Sequence, residues 1–451
     1  MRGPNASPIE DESPPIVPGV GSHLTKVRRD QILDLAAARF AMAGYSGTSL
    51  QAIAEAGGIL PGSLYHHFDS KEAIARELVR HYHSELDAIG RAALEQRQHA
   101  LPASIYEDLL GLTMAVAECS IRHRAAVRLS IYESAAGELQ VGEPQDGGPA
   151  AIDQAIEQIL RRGRDAGLIR SPVSSQVSAQ QISTTMRRIG VSNTRQTTLV
   201  PELVTTLLHI LLGGLASNNP ADANLDRSDA LRAAKGPLEA WRSEARRSSE
   251  DKVATLYSAA RFEFARQGYE AATMRGIAQA AGISMGVLYR IVDSKETLLQ
   301  TIMSTYYTRL STAYEAVLAS GSSVTEQIDG LIWVNINSME LFGAEFEIQH
   351  SWIREIPPAA DISSTAWSRQ IEQTQSLILR GLRSSELRVW KIGPVPPPAE
   401  TVIASVLNLI WFPSGIIDGR ACRSALRHSR QTILRGMGSR RLAKVIERRP
   451  A

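Results

Sequence analysis

The chain has 451 residues, too many for one hydrophobic core, so two or more domains are expected. Hydrophobic residues make up 43% and charged residues 21%, which fits a globular protein and excludes a disordered or fibrous one. A formal net charge of +2 gives no whole-chain pull on nucleic acid or membrane, and two cysteines without a Cys-x-x-Cys pair exclude a disulfide framework and a zinc knuckle.

Residues 1–24 are rich in Pro and Gly and contain acids, without the basic-then-apolar order of a signal peptide, and are expected to be disordered. Ile32, Ala36 and Phe40 then recur at i, i+4, i+8 and predict a helix that Gly44 ends. Thr48 with Gln51 three residues on has the spacing of a helix start. Ile53 and Ala54 lead to a turn at Gly57-Gly58, and a third helix runs from about Leu60 to Phe68. Asp69 and Glu72 open a fourth, continued by Ile74, Leu78 and Tyr82. Together 25–88 make a small helical head. Residues 89–216 carry long apolar-periodic stretches with few strand signals and make a larger helical body. Residues 217–247 are polar, broken by Pro and Gly, and read as a linker whose end is a helical lead-in. A second head follows at 248–308 and a second body at 309–447. No apolar run reaches the ~20 residues that span a bilayer; LVTTLLHILLGGLA (203–216) is the nearest. A reducing cytoplasm is the expected location.

The two heads are one unit written twice. At an offset of 224 (268 − 44), segments 44–72 and 268–296 align without a gap, and 14 of 29 positions are identical, where chance gives about two. The fold class is therefore all-α: two helix-turn-helix heads, each followed by a helical body. In such a motif the second helix enters the major groove of DNA and needs small residues at its start. Gly62 and Ser63 supply them in one head, Ser284 and Gly286 in the other. Tyr65 and Tyr289 offer hydroxyls to a phosphate; Lys71 and Lys295, in the first turn of the next helix, and Thr48, Ser49 and Thr273 are expected to do likewise.

GYSGTSLQAIAEAGGILPGSLYHHFDSKEAI, and its diverged partner GYEAATMRGIAQAAGISMGVLYRIVDSKETL, resemble the DNA-binding domain of TetR-type transcriptional regulators, over about 50 residues in each copy. The resemblance implies a double-stranded DNA partner. It implies base readout around Pro61, Ser63, His66 and His67 in one head, and Met285, Val287 and Arg290 in the other. Departures stand out: Leu60-Pro61 replaces the usual hydroxyl cap, Ala272 stands for Thr48, and Arg-Ile-Val replaces His-His-Phe. The resemblance also implies a body that dimerises through its last helices and holds a small, often apolar inducer. Trp333, Met339, Phe342, Phe346 and Trp352 form the candidate lining, equally explained as helix core.

Adjacent His66 and His67 point ~100° apart on a helix and do not share one ion; no metal site, cofactor or catalytic residue is read. The basic stretch 420–451, with ten Lys/Arg against Glu447, is read as a solvated final helix in preference to a DNA contact. The whole is read as a ligand-responsive repressor, not an enzyme. Its two bodies are expected to pack on each other within one chain as a pseudo-dimer, with self-association open. Lipid or sterol metabolism genes are the expected targets, and the operator should be asymmetric because the recognition helices differ. The alternative is a helical interaction or scaffold protein with degenerate heads, kept alive by five basic and five acidic residues across 23–72.

Overall fold

The computed structural model describes residues 20–45, 47–95, 102–130, 150–170, 173–190, 200–247, 252–352, 360–388, 396–411 and 422–447. Residues 1–19 of the expected tail, together with Arg420, Arg448 and Arg449, lie outside them, as do the side chains of Pro61 and Trp352.

In the first head, α1 (Val20–Ala43), α2 (Leu50–Ala56) and α3 (Pro61–Tyr65) precede the long α4 (Lys71–Glu95). Residues 20–24, expected in the tail, already belong to α1. Ile32, Ala36 and Phe40 are buried, as their spacing predicts, and share the core with Ile53, Leu64, Phe68 and Ile74. Gly44 follows α1 at φ 73°, and its counterpart Gly268 breaks the second head's first helix at φ 78°, a conformation that favours glycine.

The first body contains α5 (Pro102–Arg122), α6 (Arg124–Arg128), α7 (Ala150–Asp165), α8 (Ser175–Arg188) and α9 (Val200–Gly213). The long α4 lies against α7, α7 against α8, and α5 against α8 and α9. Next come α10 (Asp222–Arg227) and α11 (Asp229–Arg247). The second head is α12 (Lys252–Ala271), α13 (Met274–Ala280) and α14 (Met285–Ile291). The second body is α15 (Lys295–Leu318), α16 (Val324–Leu341), α17 (Gly343–Trp352), α18 (Ala360–Arg383), α19 (Ala399–Trp411) and α20 (Cys422–Ser429), then a π-helical turn (Arg430–Leu434) and α21 (Arg440–Glu447). The fold is all-α; two isolated bridges, Ile169 with Gly438 and Ala216 with Leu387, are the β-type pairings among the described residues.

The segment read as a linker departs from its expectation. Residues 222–247 form two helices, and α11 packs against α15 and α16. Ala230, Leu231, Ala234, Leu238 and Trp241 are buried at helical spacing. Polar residues on the other face give the segment its linker-like composition, and Pro237 sits inside α11.

Helix α9 packs against α19, and the chain's end crosses onto the first body, where α21 contacts α5 and α9. Backbone bonds stitch the crossing: Leu215 N–H donates to the Ile433 carbonyl at 2.8 Å, Met437 to Leu211 at 2.7 Å, and Ser439 to Leu168 at 2.7 Å. Arg430, 3% exposed, donates to both carboxylate oxygens of buried Asp329 and to Asp226, each at 2.8 Å. Arg435 pairs with Asp222. The basic stretch therefore contains structural arginines holding α10 and α16, not a uniformly solvated face. Burying a charge is tolerated here because its partners are buried or bonded with it.

Candidate nucleic-acid interface

Ser49 and Thr273 cap α2 and α13: their hydroxyls accept from Ala52 N–H and Gly276 N–H at 3.0 Å. Both side chains remain exposed. Ser284 caps α14 by accepting from Val287 N–H at 3.3 Å, whereas Leu60 precedes α3 without a side-chain cap. Pro61 at the first helical position lets α3 begin there, because proline has no N–H to leave unpaired.

Gly62, Tyr65 and His66 are exposed on α3 and its end, and Gly286, Tyr289 and Arg290 on α14. Tyr65 and Tyr289 keep 55% and 52% of their surface exposed, although each follows a buried leucine, Leu64 or Leu288. Ser63, Met285 and Val287 are half-buried at the helix starts. The two exposed ridges are thus the same surface written with different side chains.

Four expectations change. Thr48 is 3% exposed and its hydroxyl donates to the Gly44 carbonyl at 2.7 Å, so it closes the turn after α1 and faces no DNA. Ala272 is buried at the equivalent position. Lys71 donates to the Tyr45 carbonyl at 2.7 Å and lies 4.1 Å over that ring's centroid. Lys295 repeats this with Tyr269 at 2.7 Å and 4.3 Å, and adds the Ala272 carbonyl at 3.1 Å. Both ammonium groups tie the fourth helix of the head to the Gly-Tyr turn. Helix α3 also ends earlier than expected: His66 caps it, and His67 lies in the following turn, half-buried, its carbonyl accepting from Arg29 at 2.5 Å. Arg29 in turn bonds Glu77 and sits 4.1 Å over Phe68. Burial alone would raise the Glu77 carboxyl, but Arg29 and Arg80 outweigh it and hold the group below its ordinary range. Leu60 was missed as a surface residue: it stands 79% exposed beside the recognition helix, a signal readable in retrospect from an apolar residue where a polar cap is usual.

Two cavities lined by described residues lie where each head meets its body. One, of about 480 Å³, is bounded by α1, α4 and the α5–α6 corner, with Asp30, Asp34, His81, Arg122 and His123 on its wall. The other, of about 630 Å³, is bounded by α12, α15 and α17, with Trp241, Arg261, Arg309, Phe342 and Glu345. Of the five candidate pocket residues, Phe342 lines this second cavity, against Trp241 at 5.1 Å. Trp333 packs on the core, and Met339 and Phe346 are half-buried elsewhere.

Beside the first cavity, Glu85 of α4 meets Cys119 of α5 and His123 at the α5–α6 corner. One ligating atom from each lies within 4.8 Å of the others. His123 Nε2 is 2.7 Å from Glu85 Oε2, and Arg122 pairs with the other carboxylate oxygen. Burial and the Glu85 carboxylate push the Cys119 thiol up to about 12. Burial would raise Glu85, but bonds from Arg122 and His123 hold it below its ordinary value. The Cys-x-x-x-His spacing, one helical turn, places Cys119 and His123 on the same side of the helix end.

Two duplicated helix-turn-helix heads with exposed ridges define the class: the chain carries two DNA-binding heads of the TetR type. The family model of "Bacterial regulatory proteins, tetR family" matches residues 32–78 and again 256–302. The chain is similar to the HTH-type transcriptional repressor KstR2 of Mycobacterium tuberculosis, 42% identical over 112 residues, which are 25% of this chain and 52% of that protein. KstR2 of Rhodococcus jostii is 40% identical over 119 residues, 24% of this chain and 56% of the relative. The chain thus spans about half the length of the curated relatives it matches. Among solved structures, the ketosteroid transcriptional regulator KstR2 of Mycobacterium tuberculosis overlaps 41% of this chain and 92% of its own, with 29% identity and a TM-score of 0.33. These relatives are regulators, not enzymes.

Proposed function

We infer that the protein is a sequence-specific DNA-binding transcriptional regulator, a ligand-responsive repressor that reads two unlike half-sites. The observation that carries this reading is the pair of exposed ridges at matching positions, Tyr65 with His66 and Tyr289 with Arg290. The shared tyrosines suit a uniform phosphate backbone. The differing neighbours suit different bases: Arg290 matches a guanine edge, and Leu60 matches a thymine methyl. The packing of α9 on α19 supports an intramolecular pseudo-dimer, in which one chain carries both heads. Heads held this way would reach half-sites about one DNA turn, ~34 Å, apart.

Response to a ligand requires a small molecule that binds the DNA-incompetent arrangement better than the competent one. The second cavity suits an apolar molecule bearing one polar end, since Trp241 and Phe342 stand beside Arg261 and Arg309. Lipid or sterol metabolism genes are the targets that the resemblance of the heads suggests. The place of action would be the cytoplasm, at the nucleoid; no described helix is long and apolar enough to cross a membrane.

Genome-wide mapping of bound DNA, followed by affinity measurement on the recovered sites across salt concentrations, tests the reading. The expected result is a small set of sites, with log affinity falling by ~0.9 per phosphate contacted for each unit of log salt. No recovered sites and a flat salt response would instead favour a scaffold with degenerate heads.

A further inference from the structure

Cys119 and His123 are four residues apart, so a single helical turn puts both on one side of the α5 end. Glu85 faces them from α4. A thiol, an imidazole and a carboxylate whose ligating atoms lie within 4.8 Å of one another need only a small contraction to surround one ion. Tetrahedral zinc has Zn–S of ~2.3 Å and Zn–N and Zn–O of ~2.0–2.2 Å, which sets the donor atoms roughly 3–4 Å apart. Sulfur, nitrogen and oxygen in one set suit a borderline-soft divalent ion better than calcium or magnesium.

We propose that Glu85, Cys119 and His123 form a Zn²⁺ site at the joint between the first head and its body, with a water in the fourth position.

On binding, the Cys119 S–H bond breaks, its proton passes to solvent, and a thiolate–zinc bond forms. His123 binds through Nε2, its proton residing on Nδ1. Glu85 binds through Oε2, the oxygen that now faces His123 at 2.7 Å. Its other oxygen keeps Arg122, which orients the carboxylate as an outer partner. The thiolate and carboxylate together neutralise the ion. Cys119 itself is fully buried, but the half-buried His123 lines the 480 Å³ cavity and gives the ion a path inward. A metal here would brace α4 on α5 beside the contact that seats the head, where Arg128 donates to the Ala41 carbonyl at 2.8 Å.

Among the described residues, the second unit has no such set. The head offset of 224 brings Glu85 to Arg309. The offset of 222 that relates Pro102 of α5 to Val324 of α16 brings Cys119 to Leu341 and His123 to Glu345. The site would belong to one unit of the pair and add to its asymmetry.

Metal-free full-length protein titrated with Co²⁺, and with Zn²⁺ against a chromophoric chelator, tests the site. Wild type and Cys422→Ser should take up one ion per chain and give the thiolate-to-cobalt charge-transfer band. Cys119→Ser should lose the band, and Glu85→Gln and His123→Gln should weaken Zn²⁺ binding at least ~10-fold. These last two alter partly exposed side chains, so they decide the matter if Cys119→Ser fails to fold by circular dichroism. Absence of the band in wild type, its survival in Cys119→Ser, or unchanged Zn²⁺ affinity in both Glu85→Gln and His123→Gln would overturn the proposal.

Discussion

The ammonium of Lys71 lies in the first turn of α4, yet it reaches back to the Tyr45 carbonyl at 2.7 Å and over that residue's ring. A hydrogen bond from a charged group contributes ~1.5–3 kcal/mol and a partly exposed cation–π contact ~0.5–1 kcal/mol. Lys71→Met should therefore lower stability by ~1–3 kcal/mol, read as a fall in Tm, while leaving the salt slope of DNA binding unchanged. A lysine seated on phosphate would behave otherwise, its loss reducing that slope by ~1. Repetition in the sequence marked Tyr45 and Lys71 together, since both recur in the second head. It could not say whether the lysine's partner was a phosphate outside or a carbonyl inside, because both are oxygen acceptors and either would keep the residue. Tyr65 was legible for the opposite reason: its buried neighbour Leu64 fixes the helix face that turns outward.

Helices of the heads followed from apolar spacing and small residues at turns; of α11 only the end was legible, as a helical lead-in, while Gly236-Pro237 in its middle, a pair that usually breaks a helix, hid the rest. The crossing of the chain's end over the first body was less legible still. It depends on backbone contacts between segments over 200 residues apart, which no local pattern encodes. Gly214, at φ 86°, and Gly436, at φ 71°, meet there back to back. A Cβ on Gly214 would come within 2.4 Å of the Arg435 carbonyl carbon. Gly214→Ala should destabilise by ~2 kcal/mol or more, from the positive φ and the clash together. Gly111→Ala, inside α5 with open space around it, should instead stabilise by ~0.5–1 kcal/mol. Chemical denaturation of both variants checks the pair of opposite signs.

At the scale of the whole molecule, the duplication and the stitching together shape the functional account. Two units of one ancestry have kept the framework of the head, including the Tyr-Lys tie and the capped second helix. They have diverged on the ridge that faces outward and at the joint below it. Arg430 and Arg435 lock the end of the second body to α10 and α16, and α21 lies on the first body, so the units are held as one object. Under the proposed function, a molecule built this way would carry two unlike readers in one chain. Footprinting wild type, Tyr65→Ala and Tyr289→Ala on one recovered operator tests this most directly. The account predicts two unlike protected half-sites in wild type, one lost in each variant. A perfect inverted repeat, with both halves lost together in Tyr65→Ala and neither in Tyr289→Ala, would contradict it.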